Sequence, residues 1–294
     1  MKERITFIFV MLIFGSIGIF VKQIDLFSGE IAFWRGVIGS LFLIVATIAS
    51  KSKIRFTVEK SNRFLLLFSG AALGFNWIFL FESYRYTTVT NATFSYYFAP
   101  VFVMILAPIL LKEKFLWRNF VGIFIAMIGL LLVLNPEKEM ISFSSHHLVG
   151  IFYGLLAAIL YASVIIMNKF LKGLSGYETT VIQLVIATFI LCPYVFFTDG
   201  FHFPQLEGRS IIFLIILGIV HTGIAYALYF PTVNRLKGQT VAIFSYVDPI
   251  SAVIMSTVFL SEQLSFNQVI GGVFILISPF ISELKKRDDD SIAV

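Results

Sequence analysis

Charge is what this chain has least of. Only 13% of its 294 residues are Asp, Glu, Lys or Arg, about half the roughly 25% of soluble domains. With 58% hydrophobic residues and a mean hydropathy of +0.92, a water-soluble fold would lack the polar surface to cover itself. Most of the chain must be solvated by lipid. The single cysteine, Cys192, excludes an intrachain disulfide, and its place in an apolar run reads as that of a small buried hydrophobe. Walker A, HExxH, GxSxG and CxxC motifs are all missing. The sequence therefore gives no support to an ATP-driven pump, a zinc protease, a serine hydrolase or a thiol redox enzyme, and neither a cofactor nor a metal is expected. The adjacent His146 and His147 would need further ligands to hold a metal. The net charge of +5 does not point to nucleic acid, because Lys and Arg sit in short loops between apolar runs, where membrane orientation requires them.

What the chain has instead is long apolar runs. Ten approach the roughly 20 residues needed to span a bilayer: Ile5–Val21, Gly29–Ala49, Phe64–Phe81, Thr90–Leu111, Leu116–Leu134, Leu148–Met167, Tyr177–Phe197, Ile211–Phe230, Thr240–Leu260 and Phe266–Ile281. They are too long for strands of a membrane barrel and do not alternate. The first follows Lys2 and Arg4 as a signal peptide would, but no small-x-small cleavage site stands before a polar start. It is read as the first span. With the amino terminus placed inside, inside segments hold 17 Lys and Arg and outside segments hold 4. That bias predicts ten spans with both termini cytoplasmic in a multi-pass protein of the cell membrane.

The chain also resembles itself at an offset of 149 residues. Tyr97 pairs with Tyr246, Pro100 with Pro249 and Glu113 with Glu262. With a slight slip, Phe14-Gly15-Ser16 faces Tyr161-Ala162-Ser163, and Lys22 faces Lys169. Five spans per copy is an odd number, so the second copy enters the membrane from the opposite side. The expected fold is an all-α membrane protein of ten transmembrane helices. A five-helix repeat over residues 1–140 and an inverted one over 141–284 would surround a central cavity, with a charged cytoplasmic tail at 285–294. Inverted repeats recur in secondary transporters, where two similar bundles exchange inward and outward shapes. A rigid scaffold or a channel could carry the same duplication.

Several segments together resemble the EamA family of the drug/metabolite transporter superfamily. They are Phe79-Leu80-Phe81-Glu82-Ser83-Tyr84-Arg85-Tyr86-Thr87-Thr88, Ser95-Tyr96-Tyr97-Phe98-Ala99-Pro100, Leu111-Lys112-Glu113-Lys114, Ser245-Tyr246-Val247-Asp248-Pro249 and Leu260-Ser261-Glu262-Gln263. The resemblance covers about Ile5 to Ile281. It implies a carrier with both termini inside and a cavity open to one side at a time, exporting small metabolites, often amino acids. It also implies that the second span, which holds Arg35, is peripheral. The copies differ where Glu82 faces Pro231 and Ala99 faces Asp248, so the two half-sites should differ in chemistry.

Polar groups within hydrocarbon are costly and hence candidates for function. Asn76 and Trp77 lie mid-span, where Asn76 either binds substrate or makes an interhelical hydrogen bond. His221 and Tyr226 lie in the equivalent span of the second copy, and His221 is either a proton acceptor or a satisfied core histidine. Asp248, next to Pro249, is a candidate to attract a cation, carry a proton or cap a kink, and matched prolines in paired spans point to a transporter site. Tyr96, Tyr97 and Tyr246 flank those prolines and could stack on a ligand. Glu82 and Arg85, three residues apart on one helix face, form either an outer gate or an interfacial salt bridge. Arg35 must pair, snorkel or anchor a substrate carboxylate, and Gln183 is its near-equivalent. Glu113 and Glu262 read as helix-end contacts.

The function expected from these residues is alternating-access export of small metabolites, neutral or aromatic amino acids foremost. A monomer would suffice, with a small-molecule substrate, the lipid bilayer and possible proton coupling through Asp248 or His221. The alternatives are a multidrug or organic-cation efflux carrier and a passive small-solute channel. An intramembrane enzyme would need clustered catalytic groups at one face, and none stand out.

Overall fold

An apolar run in lipid must satisfy its amides within itself, so helices are what these runs can form. In the computed structural model, which describes residues 2–49, 60–112, 117–134, 145–198, 200–202, 206–236 and 244–283, every regular element is helical. Seven stretches are long and apolar enough to cross a bilayer: Lys2–Val21, Ser28–Ala49, Asn62–Tyr86, Val89–Leu110, His146–Phe170, Gly176–Thr198 and Gly208–Tyr229. Three shorter apolar helices, Phe120–Val133, Val247–Leu260 and Phe266–Ser278, fall on the remaining runs. The charged tail and Glu113 lie outside the described residues.

Helices α1 (Lys2–Gly15) and α2 (Ile17–Val21) divide the first run at Ser16. Next come α3 (Ser28–Ala49) and α4 (Lys60–Tyr86). The fourth run is split into α5 (Val89–Tyr96) and α6 (Ala99–Leu110). There follow α7 (Trp117–Leu134), α8 (Ser145–Phe170) and α9 (Gly176–Thr198). In the eighth run a π-helical segment, Ile219–Ile224, separates α10 (Gly208–Gly218) from α11 (Ala225–Arg235). Last are α12 (Val247–Leu260) and α13 (Phe266–Glu283). Pro100 and Pro249 occupy the first turns of α6 and α12, where a missing N–H leaves no bond unmade. The break in the fourth run therefore falls before its proline, not at it.

The surface is that of a membrane protein. Phe189, Phe197, Trp117 and Phe266 are between 74% and 81% exposed. Cys192 is exposed on α9 as well, one turn from Phe189 and Phe196, and is not buried as its apolar neighbours suggested. An apolar run destined for lipid does not tell its outward face from its inward one.

Inside, α4 packs against α8 and α9, and α3 against α9 and the π segment. Helix α1 packs against α11 and α12, α5 against α8, and α7 against α13. Gly70 and Gly74, spaced as GxxxG, let α4 approach α9. A Cβ on Gly70 would lie 2.6 Å from Ile186 Cγ2, and one on Gly74 would lie 3.2 Å from Leu191 Cγ. Two non-glycine residues adopt left-handed backbone, Lys112 (φ 57°) and Ser261 (φ 56°). Each follows the helix preceding a repeat glutamate, and the latter ends α12 and turns the chain back at Glu262.

Candidate functional site

A central cavity of about 480 Å³ opens among α1, α3, α4, α5, α6, α8, α9, α11 and α12. Of the predicted site residues, the fold brings Asn76, Trp77, Tyr96, Tyr97, Tyr226 and Asp248 to its wall. Asp248 leaves the first turn of α12 and accepts a hydrogen bond at Oδ2 from the Tyr97 hydroxyl, which stands at the α5–α6 break. The break carries Tyr97 across to the opposite half of the chain, and α1 makes room for this region because Gly15 lacks a Cβ. A Cβ there would lie 2.6 Å from the Asp248 carbonyl oxygen.

Asn76 lines the cavity and also donates from Nδ2 to the Ala157 carbonyl at 2.6 Å, so the wall residue and the interhelical tie are the same side chain. Trp77 is 4% exposed and lies beneath Arg35, whose Cζ is 4.5 Å from its ring centroid. Arg35 itself is a wall residue, placed there by the inward face of α3. Its helix is not peripheral, as the family resemblance implied. Its near-equivalent Gln183 is also at the wall and donates from Nε2 to Asn168 Oδ1 and Ser69 Oγ, each at 2.7 Å.

The remaining predicted residues lie elsewhere. His221 is 1% exposed and not at the wall. Its Nε2 is 2.8 Å from Ser16 Oγ, and Phe20 meets its ring edge-on at 4.7 Å. It ties the π segment to the break in the first run. Tyr246 flanks α12 beside the cavity without lining it. Glu82 and Arg85 pair with each other at 3.3 Å near the end of α4, where Arg85 also covers Phe27. His146 stacks on Tyr86, and His147 Nδ1 is 3.0 Å from Thr87 Oγ1; both histidines lie in the first turn of α8, which starts ahead of the predicted run at Leu148. Among the described residues no three His, Cys, Asp or Glu side chains gather as metal ligands would.

Sequence reasoning did not single out Tyr84, Tyr161 or Tyr229, which share the wall with Phe14. The repeat held the signal for one of them, since Phe14 and Tyr161 are matched residues and both line the cavity.

The two ends of the cavity differ. Toward the junction of α8 and α9 its wall reaches Asn168 and Thr180, and Asn168 is exposed. Beyond Tyr84, at the opposite end, Glu262 crosses from the second half of the chain to the first. Its carboxylate accepts from the free amides at the start of α5, Val89 N (2.7 Å) and Thr90 N (3.1 Å), and from the Thr90 hydroxyl (3.0 Å). Thr90 Oγ1 also meets Ser256 Oγ at 2.9 Å, and Lys22 Nζ lies 3.9 Å from the carboxylate. A carboxylate at a helix amino terminus is favourably placed both for the amides and for the helix dipole.

The model of the EamA-like transporter family matches residues 1–135 and again residues 148–283. The chain is 32% identical over 279 residues to a Bacillus subtilis protein called uncharacterized transporter YxxF, covering 94% of this chain and 88% of that protein. It is 26% identical over 276 residues to mouse solute carrier family 35 member G1, covering 90% of this chain and 74% of that protein. A chain of known crystal structure, 14% identical, superposes with a TM-score of 0.66 over 98% of this chain and 99% of its own length, which shows a shared fold.

Proposed function

The chain belongs to the EamA-like transporter family, and from that premise we propose that it is a secondary carrier. It exports small metabolites, neutral or aromatic amino acids foremost, across the cell membrane by alternating access. The observation that carries the reading is the aromatic and polar cavity built from both halves of the chain, with Arg35 and the Tyr97–Asp248 pair at its wall. At about 480 Å³ it lies in the range of sites for small organic ligands.

The same reading takes the chain as two inverted five-helix repeats in ten spans, and several features support it. The family model matches twice. The left-handed residues Lys112 and Ser261 are separated by the repeat offset and each precedes a glutamate. Helix pairs also recur five spans on: α4 packs on α8 as α11 packs on α1, and α9 on α4 as α3 on the π segment. With the basic loops inside, the Glu262 contact closes the outer face and the exposed rim at Asn168 looks to the cytoplasm. Asp248 is the proton-carrying candidate of this reading, since His221 stands away from the wall.

Efflux of organic cations is the second reading, favoured by Asp248 among the tyrosines of the wall. Purified protein in proteoliposomes, tested by counterflow across a panel of amino acids with and without a pH gradient, separates the cases. Saturable flux competed by aromatic amino acids is expected. Flux of cationic dyes alone selects the second reading. Linear, uncompeted flux is channel behaviour and overturns the carrier.

A further inference from the structure

We infer that Arg35 is the anchor for a carboxylate on the transported molecule, so that the substrate of this cavity is an acid or a zwitterion and not an amine. The inference rests on the carrier reading above and names the chemistry of its ligand. It starts from a charge that has no ion-pair partner among the described residues. A guanidinium stays protonated in a protein, and one held at membrane depth needs a countercharge or water. Arg35 is 2% exposed. Its Nε donates to Thr222 Oγ1 at 2.8 Å, and its Cζ lies 4.5 Å from the Trp77 ring centroid and 5.8 Å from that of Phe81. Among the described residues no hydrogen bond engages its terminal Nη atoms and no ion pair includes it.

None of the nearby acids among the described residues is bonded to it. Glu30, earlier on the same helix, accepts from the His202 backbone N–H at 2.6 Å and meets His202 Nδ1 at 3.0 Å. Asp248, the carboxylate of the cavity wall, accepts from Tyr97. Glu262 is bound to the start of α5. Arg35 is thus a cation at the wall, fixed in orientation by Thr222 and Trp77, with the fork that pairs with a carboxylate unfilled. Trp77 gives the guanidinium an aromatic contact, and a lysine in its place would lose the planar fork. Thr222 comes from the π segment, whose wider turn sets it beside Arg35 while the preceding His221 faces Ser16.

A carboxylate entering the cavity supplies the missing partner, and the body of the ligand then lies along Trp77, Tyr96 and Tyr226. Purified full-length protein in detergent is titrated with L-phenylalanine, 3-phenylpropionate and phenethylamine, three probes that share a ring and differ in charged groups. The two carboxylates bind, and phenethylamine does not. Arg35→Gln weakens carboxylate binding by about 30-fold or more, the cost of removing one partner of a buried charge pair. Arg35→Lys weakens it less. The three-probe comparison on the unsubstituted protein needs no variant, so it decides the matter even where Arg35→Gln runs as aggregate on size exclusion. Phenethylamine binding as tightly as phenylalanine, binding of neither carboxylate, or a monodisperse Arg35→Gln that binds them unchanged overturns the assignment. Carboxylate binding that depends on Arg35, without saturable flux in vesicles, leaves the anchor standing and sinks the carrier reading instead.

Discussion

Glu262→Gln tests the idea that the two halves of the chain are latched at one end of the cavity. The substitution keeps the side chain's shape, removes its charge and turns one oxygen into an NH₂ that faces the donors of Thr90. A carboxylate at a partly buried helix amino terminus contributes up to about 2 kcal/mol, and hydrogen bonds to a charged group contribute about 1.5–3 kcal/mol. Lys22, at 3.9 Å and 30% exposed, adds less than about 1 kcal/mol. These contributions overlap, and about 3 kcal/mol is a fair total, which corresponds to more than about a 100-fold change in an equilibrium constant. Under the proposed alternating access the contact is made only with that end closed, so the loss falls on the closed state and shifts the population toward opening. The single native cysteine makes the assay simple. In a Cys192→Ser background, Thr93→Cys places one thiol at the cavity wall, and a membrane-impermeant maleimide is applied from the Glu262 side. Labelling should accelerate strongly in Glu262→Gln and less in Glu262→Asp. A folded Glu262→Gln protein that labels at the parent rate would refute the latch and leave Glu262 as a helix cap alone.

Asp248→Asn should remove the pH dependence of flux, whereas His221→Ala should keep it and lower thermal stability, because His221 supports Ser16 and not the cavity; the reverse pattern in vesicles assigns the proton to His221. Gly70→Val should destabilise by about 1–3 kcal/mol through overpacking against Ile186, seen as a lower melting temperature in detergent. Reporter fusions at residue 140 and at residue 294 should report opposite sides of the membrane, the latter cytoplasmic, and a shared side would remove the inverted repeat.

Much of the fold could be read from the sequence because lipid solvation leaves so few choices. A long apolar run has to be helical, and the described helices coincide with the predicted runs. The places of the breaks could not be read. Ser16 sits in an apolar stretch with no proline, and the fourth run breaks at Tyr97-Phe98, ahead of Pro100. The π segment Ile219–Ile224 has no local signature, since its residues are ordinary for an α-helix. Within the site, scarcity decided what was visible. Asp248, Asn76 and Trp77 stand out because such residues are few within the spans. Tyr84, Tyr161 and Tyr229 were lost among 34 phenylalanines and 11 tyrosines, where an aromatic residue signals packing first. Arg35 was visible as a costly charge, but a helical run does not say which face turns inward. Its match with Gln183 was the better guide, because residues related by a repeat tend to share an environment.

The π segment gives the eighth run one more residue per turn than its neighbours have. If the same residues wound as ordinary α-helix, with none removed, everything downstream would turn by about 100°. Tyr226 and Tyr229 would swing from the hollow toward the hydrocarbon, carrying their hydroxyls into oil. The extra residue taken up in that wide turn is thus what keeps two hydroxyls at the wall.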